Sequence, residues 1–447
     1  MADDSFDRPG RAVPSGRLAR LGVFGKLAGG VAGGMVAEGT RRLAAGQRPR
    51  LNDLLLTPGN IGRLADQLAH LRGAAMKLGQ MISMDAGDLL PPELSAIMAR
   101  LRDKASPMPP AQLQQVLTAQ WGAGWRTRFA RFEASPIAAA SIGQVHRATT
   151  HDGRVLAIKV QYPGVAVSID SDIDNVATLL RVSGLLPAGL DVAPLLGEAK
   201  RQLAEEADYE REARQLAAFG ALLADDPRFV VPAPDPAFTT SQVLAMDFVA
   251  GVPVETLTQA PQEVRDRVAA TLIGLVLREL FDFGLMQTDP NFGNYRWQPG
   301  AGGEDGRLVL LDFGAARAVP AATAGSYRGL LTAALAGERD GVRDAAVEAG
   351  FVGAAAMDRH RPQVNAMIDV VLRELNRPGA FDFGDRGFVA VLREEGTGIA
   401  ADRAAWHLPP VDTLFVQRKI SGTALLAARL KARVDVRSLL TARLAEA

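Results

Sequence analysis

The side chains in this sequence best suited to chemistry are Asp289, Asn294 and Asp312. They lie in Gln287-Thr288-Asp289-Pro290-Asn291-Phe292-Gly293-Asn294 and in Leu308-Val309-Leu310-Leu311-Asp312-Phe313-Gly314. An Asp, an Asn five residues on, and an Asp-Phe-Gly closing an apolar run have the spacing of a phosphoryl-transfer site. There the first Asp orients the attacking hydroxyl, and the Asn and second Asp hold Mg²⁺ on the phosphates of ATP. Carboxylates and an amide oxygen suit a hard cation that demands oxygen ligands. Asp289 is therefore expected to be catalytic, and Asn294 and Asp312 to ligate the metal.

Asp-Phe-Gly occurs at Asp282, Asp312 and Asp382. Only Asp312 follows a strand-like run and lies downstream of the Asp/Asn pair. Asp282 ends an apolar helical stretch, 272–283, so Gly284 reads as its C-cap. Asp382 follows the turn Arg377-Pro378-Gly379. Both are read as structural.

Elements that could position such a site precede it. Residues 141–148, the turn His151-Asp152-Gly153 and residues 155–160 read as a hairpin, whose second strand carries Lys159. A lysine there contacts the α- and β-phosphates and needs a carboxylate from the next helix. That helix is predicted over 195–223 and holds Glu205-Glu206-Ala207-Asp208-Tyr209-Glu210-Arg211-Glu212. On a straight helix Glu206 and Glu212 point about 120° apart, so one lysine cannot take both. Glu212 is assigned to Lys159, and Glu206 with Asp208 to another partner. Residues 229–231 and 242–248 are predicted to complete a small sheet, with adenine against the backbone of Met246, Phe248 and Val249. Beyond residue 251 the chain reads as mostly helical. His146 and His151 read as packing or turn residues.

Ordinary kinases cover the phosphates with Gly-x-Gly-x-x-Gly, because glycine lets the backbone come close. Here the equivalent turn is Ala138-Ala139-Ala140-Ser141-Ile142-Gly143-Gln144. Three Cβ atoms crowd the approach. No Ala-Pro-Glu segment follows Asp312, so no peptide platform is apparent.

Composition sets outer bounds. The chain has 447 residues and zero formal net charge, so no global field draws it to nucleic acid. It has no cysteine, which excludes disulfides and Cys-ligated metal. The first fifty residues hold nine Lys/Arg against four Asp/Glu, a candidate basic surface for an anionic membrane face. No apolar run reaches the roughly 18 residues of a membrane span, and the acidic start does not resemble a signal peptide. The expected location is cytoplasmic, peripheral at the inner face of the cell membrane. Residues 61–82 show helical periodicity and carry Lys77-Leu78-Gly79-Gln80.

Taken together, Lys77-Leu78-Gly79-Gln80, Ala138-Ala139-Ala140-Ser141, Glu206-Ala207-Asp208, Gln287-Thr288-Asp289-Pro290-Asn291 and Asp312-Phe313-Gly314 resemble the UbiB/ADCK family of atypical, AarF-type kinase-like proteins. The likeness runs over about residues 17–430, including Arg418-Lys419-Ile420-Ser421-Gly422. It implies an α+β, bilobal protein-kinase-like fold with an N-terminal helical extension. The implied organisation is a basic segment (1–50), a helical extension over the cleft (51–128), an N-lobe (129–248) and a helical C-lobe (249–447). It implies an enzyme, an atypical phosphotransferase or ATPase that binds ATP and Mg²⁺ and supports ubiquinone biosynthesis. Its expected partner is a quinone precursor or other isoprenoid lipid rather than a protein substrate, with a homodimeric mate or quinone-biosynthesis proteins beside it. The resemblance also places Lys77 in the active site, paired with Glu206 and Asp208, and Gln80 beside it at the nucleotide. A nucleotide-gated scaffold or lipid chaperone with little turnover is the alternative. The tail, 423–447, departs from family members that end in membrane spans, because Arg429, Lys431, Arg433 and Arg437 interrupt it.

Overall fold

The computed structural model describes residues 108–182, 193–300, 305–402, 407 and 409–446. The expectations for the basic segment, the 61–82 helix, Lys77 and Gln80 lie outside the described residues. The chain divides into two compact units: Met1–Ala217 with Pro232–Phe248, and Ala218–Val231 with Val249–Ala447.

The first unit is built on an antiparallel sheet of β1 (Phe129–Phe132), β2 (Ala138–Ala139), β3 (Gly143–Thr150), β4 (Val155–Gln161) and β6 (Val243–Asp247). β3 and β4 form the predicted hairpin, with Val145 opposite Lys159. Strand alternation sorts β4 into two faces. Leu156, Ile158 and Val160 enter a core with Leu113, Val116 and Leu117 of α1 (Pro110–Trp121) and with Trp125, Phe129 and Phe238. The opposite face carries Ala157, Lys159 and Gln161. His146 of β3 lies on the core side, stacked 5.5 Å from Phe132. Its Nδ1 meets Glu133 O at 2.9 Å and its Nε2 meets Gln144 Nε2 at 2.8 Å. Because Met108 N donates to Gln144 Oε1, the amide nitrogen must face the imidazole, which fixes the neutral tautomer. Burial lowers the His146 pKa to about 4, against its bond to Glu133.

Helices α2 (Val165–Val182), α3 (Ala193–Glu206) and α4 (Tyr209–Leu222) follow. The single helix predicted over 195–223 is thus two helices. Gln161 Nε2 takes the Ala207 carbonyl at 2.6 Å, and Asp208 caps α4 by accepting from Arg211 N at 2.8 Å. An Asp N-cap ahead of Glu210 and Glu212 is a favourable helix start. The straight-helix angle between Glu206 and Glu212 therefore does not apply.

β5 (Phe229–Val230) departs from its expected place. It does not join the first sheet but pairs in parallel with β10 (Arg307–Leu310) in the second unit. The sheet order there is β5-β10-β9-β7, with β9 (Tyr295–Gln298) and β7 (Val252–Pro253). A smaller antiparallel pair joins β8 (Leu285–Gln287) to β11 (Ala316–Ala318). The remainder is helical: α5 (Gln262–Arg278), α6 (Ala321–Ala336), α7 (Arg339–Glu348), α8 (Ala354–Leu375), α9 (Gly387–Ala401), α10 (Val411–Leu430) and α11 (Val436–Glu446), with the β12 (Phe381–Asp382) and β13 (Arg433–Val434) pair among them. Val276 of α5, Met286 of β8, Tyr327 of α6 and Val416 of α10 share one core. α5 runs into a π turn, Glu279–Phe283, that ends at Gly284 with φ 57°, a left-handed cap that suits glycine. No described helix is long and apolar enough to cross a membrane.

Candidate functional site

The first unit brings together Lys159, Glu212, Glu206, Asp208 and the alanine turn. Lys159 Nζ lies 2.7 Å from Glu212 Oε1 and 2.9 Å from Oε2, and 5.1 Å from the Tyr209 ring centre. The break after α3 makes this possible, because it starts α4 where Tyr209 and Glu212 face the Lys159 side of β4. Glu206, at the end of α3, instead accepts from Ser141 Oγ at 3.2 Å. The second acid of the cluster therefore touches the alanine turn, and Asp208 has the capping role described above.

The turn itself is tight. Ala140 N donates to Gly143 O at 2.9 Å, Ala138 pairs with Val145, and Val145 with Lys159. Directly paired residues share a face, so Ala138 stands on the Lys159 side and Ala139 on the other. Gly143 was not singled out by its sequence, yet it has no room for a side chain. A Cβ there would sit 2.3 Å from Val160 O and 2.9 Å from the Tyr209 hydroxyl.

Met246 is buried, and the backbone after it is partly committed: Asp247 N donates to Ala233 O at 3.0 Å and Phe248 N to Val155 O at 2.9 Å. These two N–H groups are spent within the unit.

The second unit brings together Asp289, Asn294 and Asp312 through their backbones. Leu311 N, beside Asp312, donates to Asn294 O at 3.0 Å. Thr288 Oγ1 and N both reach Ala315 O, at 2.7 and 3.3 Å, and tie the Asp289 segment to the chain after Asp312. Asn294 Nδ2 donates to Asp289 O at 3.0 Å, so Oδ1 is the amide atom that can offer a lone pair. Asp312 Oδ1 accepts from Gly314 N at 3.0 Å. Phe313 is buried against Phe219, ring centres 4.5 Å apart. The other two Asp-Phe-Gly copies form surface ion pairs, Asp282 with Arg443 and Asp382 with Arg433.

A third group went unnoticed in the sequence. Glu279, Gln287, Tyr295 and Lys419 are all buried and meet at one point. Lys419 Nζ lies 3.1 Å from Glu279 Oε2 and bonds Glu279 Oε1 at 3.4 Å, Gln287 Oε1 at 3.3 Å and the Tyr295 hydroxyl at 3.3 Å. Burial works against the Lys419 charge, but Glu279 and Tyr295 outweigh it, and its pKa lies above the ordinary lysine value. Burial also pushes the Glu279 carboxyl up, which Lys419 only partly offsets. Periodicity carried a signal. Leu272, Leu275, Val276, Glu279 and Leu280 form one helical stripe, and Val416, Lys419, Thr423, Leu426 and Leu430 another, each with a charge at a core position.

Residues 100–346 match the ABC1 atypical kinase-like domain. The chain is 36% identical over 427 residues to the mitochondrial atypical kinase COQ8 of Saccharomyces cerevisiae, covering 95% of this chain and 84% of that protein. It is 38% identical over 435 residues to the mitochondrial atypical kinase COQ8B of Rattus norvegicus, covering 96% and 80% respectively. Among solved structures it is similar to Rv3197 of Mycobacterium tuberculosis, determined in complex with erythromycin, with a TM-score of 0.59 and 28% identity over 85% of this chain and 94% of that one. With its bilobal, kinase-like α+β fold, this chain belongs to the ABC1 atypical kinase-like family and is a kinase-fold phosphotransferase or ATPase.

Proposed function

We propose that this protein binds Mg-ATP and hydrolyses or transfers its γ-phosphate in support of ubiquinone biosynthesis, acting on or with a small lipid-like molecule. The observation that carries this reading is the pair of ties, Thr288 to Ala315 and Asn294 to Leu311, that joins the segment bearing Asp289 to the segment bearing Asp312. Asn294 Oδ1 and the Asp312 carboxylate form an oxygen-only donor set of the kind a small hard cation takes alongside phosphate oxygens. When bound, the magnesium ion would neutralise charge on the phosphates. Lys159, held by Glu212, contacts the α- and β-phosphates. Asp289 orients the attacking hydroxyl or water and accepts its proton. The turn of Ala138, Ala139, Ala140 and Ser141 lies over the nucleotide, steadied by Glu206. Met246 and Phe248 lie along the adenine. Lys77 and Gln80 cap the site, with Asp208 and Glu206 as partners for Lys77. The kinase-like lobes in this reading are 129–248 and 249–447, preceded by the extension at 51–128.

The quinone link rests on the relatives' membership of the same family and on the lack of a peptide platform after Asp312. The basic start of the chain supports peripheral contact with an anionic membrane at the cytoplasmic face. Purified protein with Mg-ATP should release phosphate, and anionic liposomes with a phenolic quinone-precursor mimic should raise the rate. Asp289→Asn should cut it by roughly 10²–10⁴-fold, the usual size of a general-base contribution. An unchanged rate in that variant refutes the role given to Asp289. Full rescue of a quinone-deficient strain by Asp289→Asn, with failure of Lys159→Ala, would turn the reading toward a nucleotide-gated scaffold.

A further inference from the structure

The buried group around Lys419 has no place in the roles above, yet it adjoins them. Gln287 and Tyr295 are the residues immediately before and after the loop 288–294, which carries Asp289 and Asn294. Both bond the same ammonium, Lys419 Nζ, at 3.3 Å. Gln287 hands the contact on. Its Oε1 accepts from Lys419, and its Nε2 donates to Asp289 O at 2.8 Å, the carbonyl that Asn294 Nδ2 also reaches. Glu279 closes the group from the other side, accepting from Lys419 and from Gln287 N at 3.3 Å. It opens the π turn Glu279–Phe283, a helix defect that recurs at functional sites.

An apolar pair of similar volume at positions 279 and 419 would often be as stable or more so, because each buried charge must be stripped of water. Stability alone therefore does not account for an ion pair on two apolar stripes. The geometry does: three flexible donors on one nitrogen can hold two loop ends and a carboxylate at once.

We propose that Lys419 is a positioning residue for phosphoryl transfer. With Glu279 it fixes, through Gln287 and Tyr295, both ends of the 288–294 loop and so the place of Asp289. This rests on the role given to Asp289 above.

The test uses the full chain as Lys419→Met/Glu279→Leu, which leaves neither charge buried alone. Thermal unfolding, Mg-ATP affinity, phosphate release and backbone hydrogen exchange are compared with wild type. The double variant should melt near wild type and bind nucleotide unchanged. Its kcat should be lower by about 10- to 100-fold, the effect of misplacing a reacting group by up to an ångström. Exchange at the amides of Asn294 and Leu311 should quicken, because local opening is no longer restrained. A purely structural group would give back kcat along with stability, so wild-type kcat in the folded double variant overturns the proposal. If that variant fails to fold, Tyr295→Phe decides. It deletes one acceptor, and a severalfold lower kcat at unchanged KM for ATP supports the clamp, while unchanged kcat overturns it. Should wild type itself release no phosphate, the Asp289 reading fails. The exchange at Asn294 and Leu311 still decides the clamp, and unchanged exchange in the folded double variant rejects it.

Discussion

Among the described residues, each unit buries one lysine against one glutamate, and the two pairs are built differently. In the first, Lys159 and Glu212 have side chains 8% and 1% exposed, and the ammonium makes short bonds of 2.7 and 2.9 Å to both oxygens of Glu212. In the second, Lys419 and Glu279 are 2% and 1% exposed, and the ammonium spreads over Glu279, Gln287 and Tyr295 at 3.1 to 3.4 Å. Lys159 projects from a strand beside the alanine turn. Lys419 replaces an apolar residue on a helix stripe. The same two residue types thus appear in two geometries: a short bidentate pair beside the alanine turn, and a longer, divided one that ties chain segments together.

The largest expected effect comes from breaking the second pair. Lys419→Met leaves a carboxylate buried without its counter-charge, which costs about 3–5 kcal/mol of stability. The loss should depend on pH in a defined direction. Burial raises the Glu279 carboxyl above its unfolded value, and without Lys419 nothing described at the pair opposes that with a full charge. The penalty is therefore absent below the unfolded carboxylate pKa, grows as pH rises between the two values, and is complete above the folded one. Denaturant titrations of both proteins from acid to neutral pH measure it. A deficit that does not vary with pH would mean that Glu279 does not carry the charge.

Breaking the first pair should cost both stability and turnover, because Glu212, with its side chain 1% exposed, loses a buried counter-charge. If Lys159 contacts the phosphates as proposed, Lys159→Met should lower phosphate release by roughly 10²–10³-fold, the size seen when one electrostatic stabiliser is lost. Steady-state rates at saturating and limiting Mg-ATP separate the effect on kcat from that on KM. Retained turnover in Lys159→Met, with turnover lost in the Lys419→Met/Glu279→Leu protein, would reverse the two assignments.

The pairs also differ in how far the sequence announced them. Lys159 sits in an alternating strand after a clear Asp-Gly turn, and Glu212 follows on the next helix, so local patterns carry both. A straight-helix angle says only that Glu206 and Glu212 cannot share one lysine, whereas in the structure Glu212 reaches Lys159 through a break at Ala207 and Asp208. The Asp208 cap is a local signal for that break, but the bond from Gln161, 46 residues away, to the Ala207 carbonyl is not. The strand at Phe229 falls outside the sheet its local pattern suggests for a similar reason, because its partner Leu308 lies far along the chain in the second unit's sheet. Lys419 and Glu279 stand 140 residues apart. Each interrupts an apolar stripe and could have been flagged singly, but two charges on two stripes do not say that they meet. The roles proposed for Asp289, Asn294 and Asp312 rest on their spacing, while the threonine tie and the lysine contacts that hold their segments are tertiary and leave no local pattern.

The smallest effect concerns what surrounds the first pair. The register Ala138–Val145–Lys159 puts one alanine Cβ on the lysine's face, and Ala139 pairs into the row of Gln144 and Val160, toward the aromatic core. Ala140 follows at the turn, its N–H bonded to Gly143 O. If methyl groups near Lys159 limit how closely a phosphate approaches, Ala140→Gly should change the Mg-ATP Kd severalfold while costing only about 0.5–1 kcal/mol of stability through added backbone freedom. Ala139→Gly removes a methyl from the opposite face and should carry the same stability cost with no change in Kd. Equal shifts in both variants would assign the effect to turn flexibility. A shift in Ala140→Gly alone would make the alanines a filter on the nucleotide, acting beside the bidentate pair and independent of the lysine clamp in the second unit.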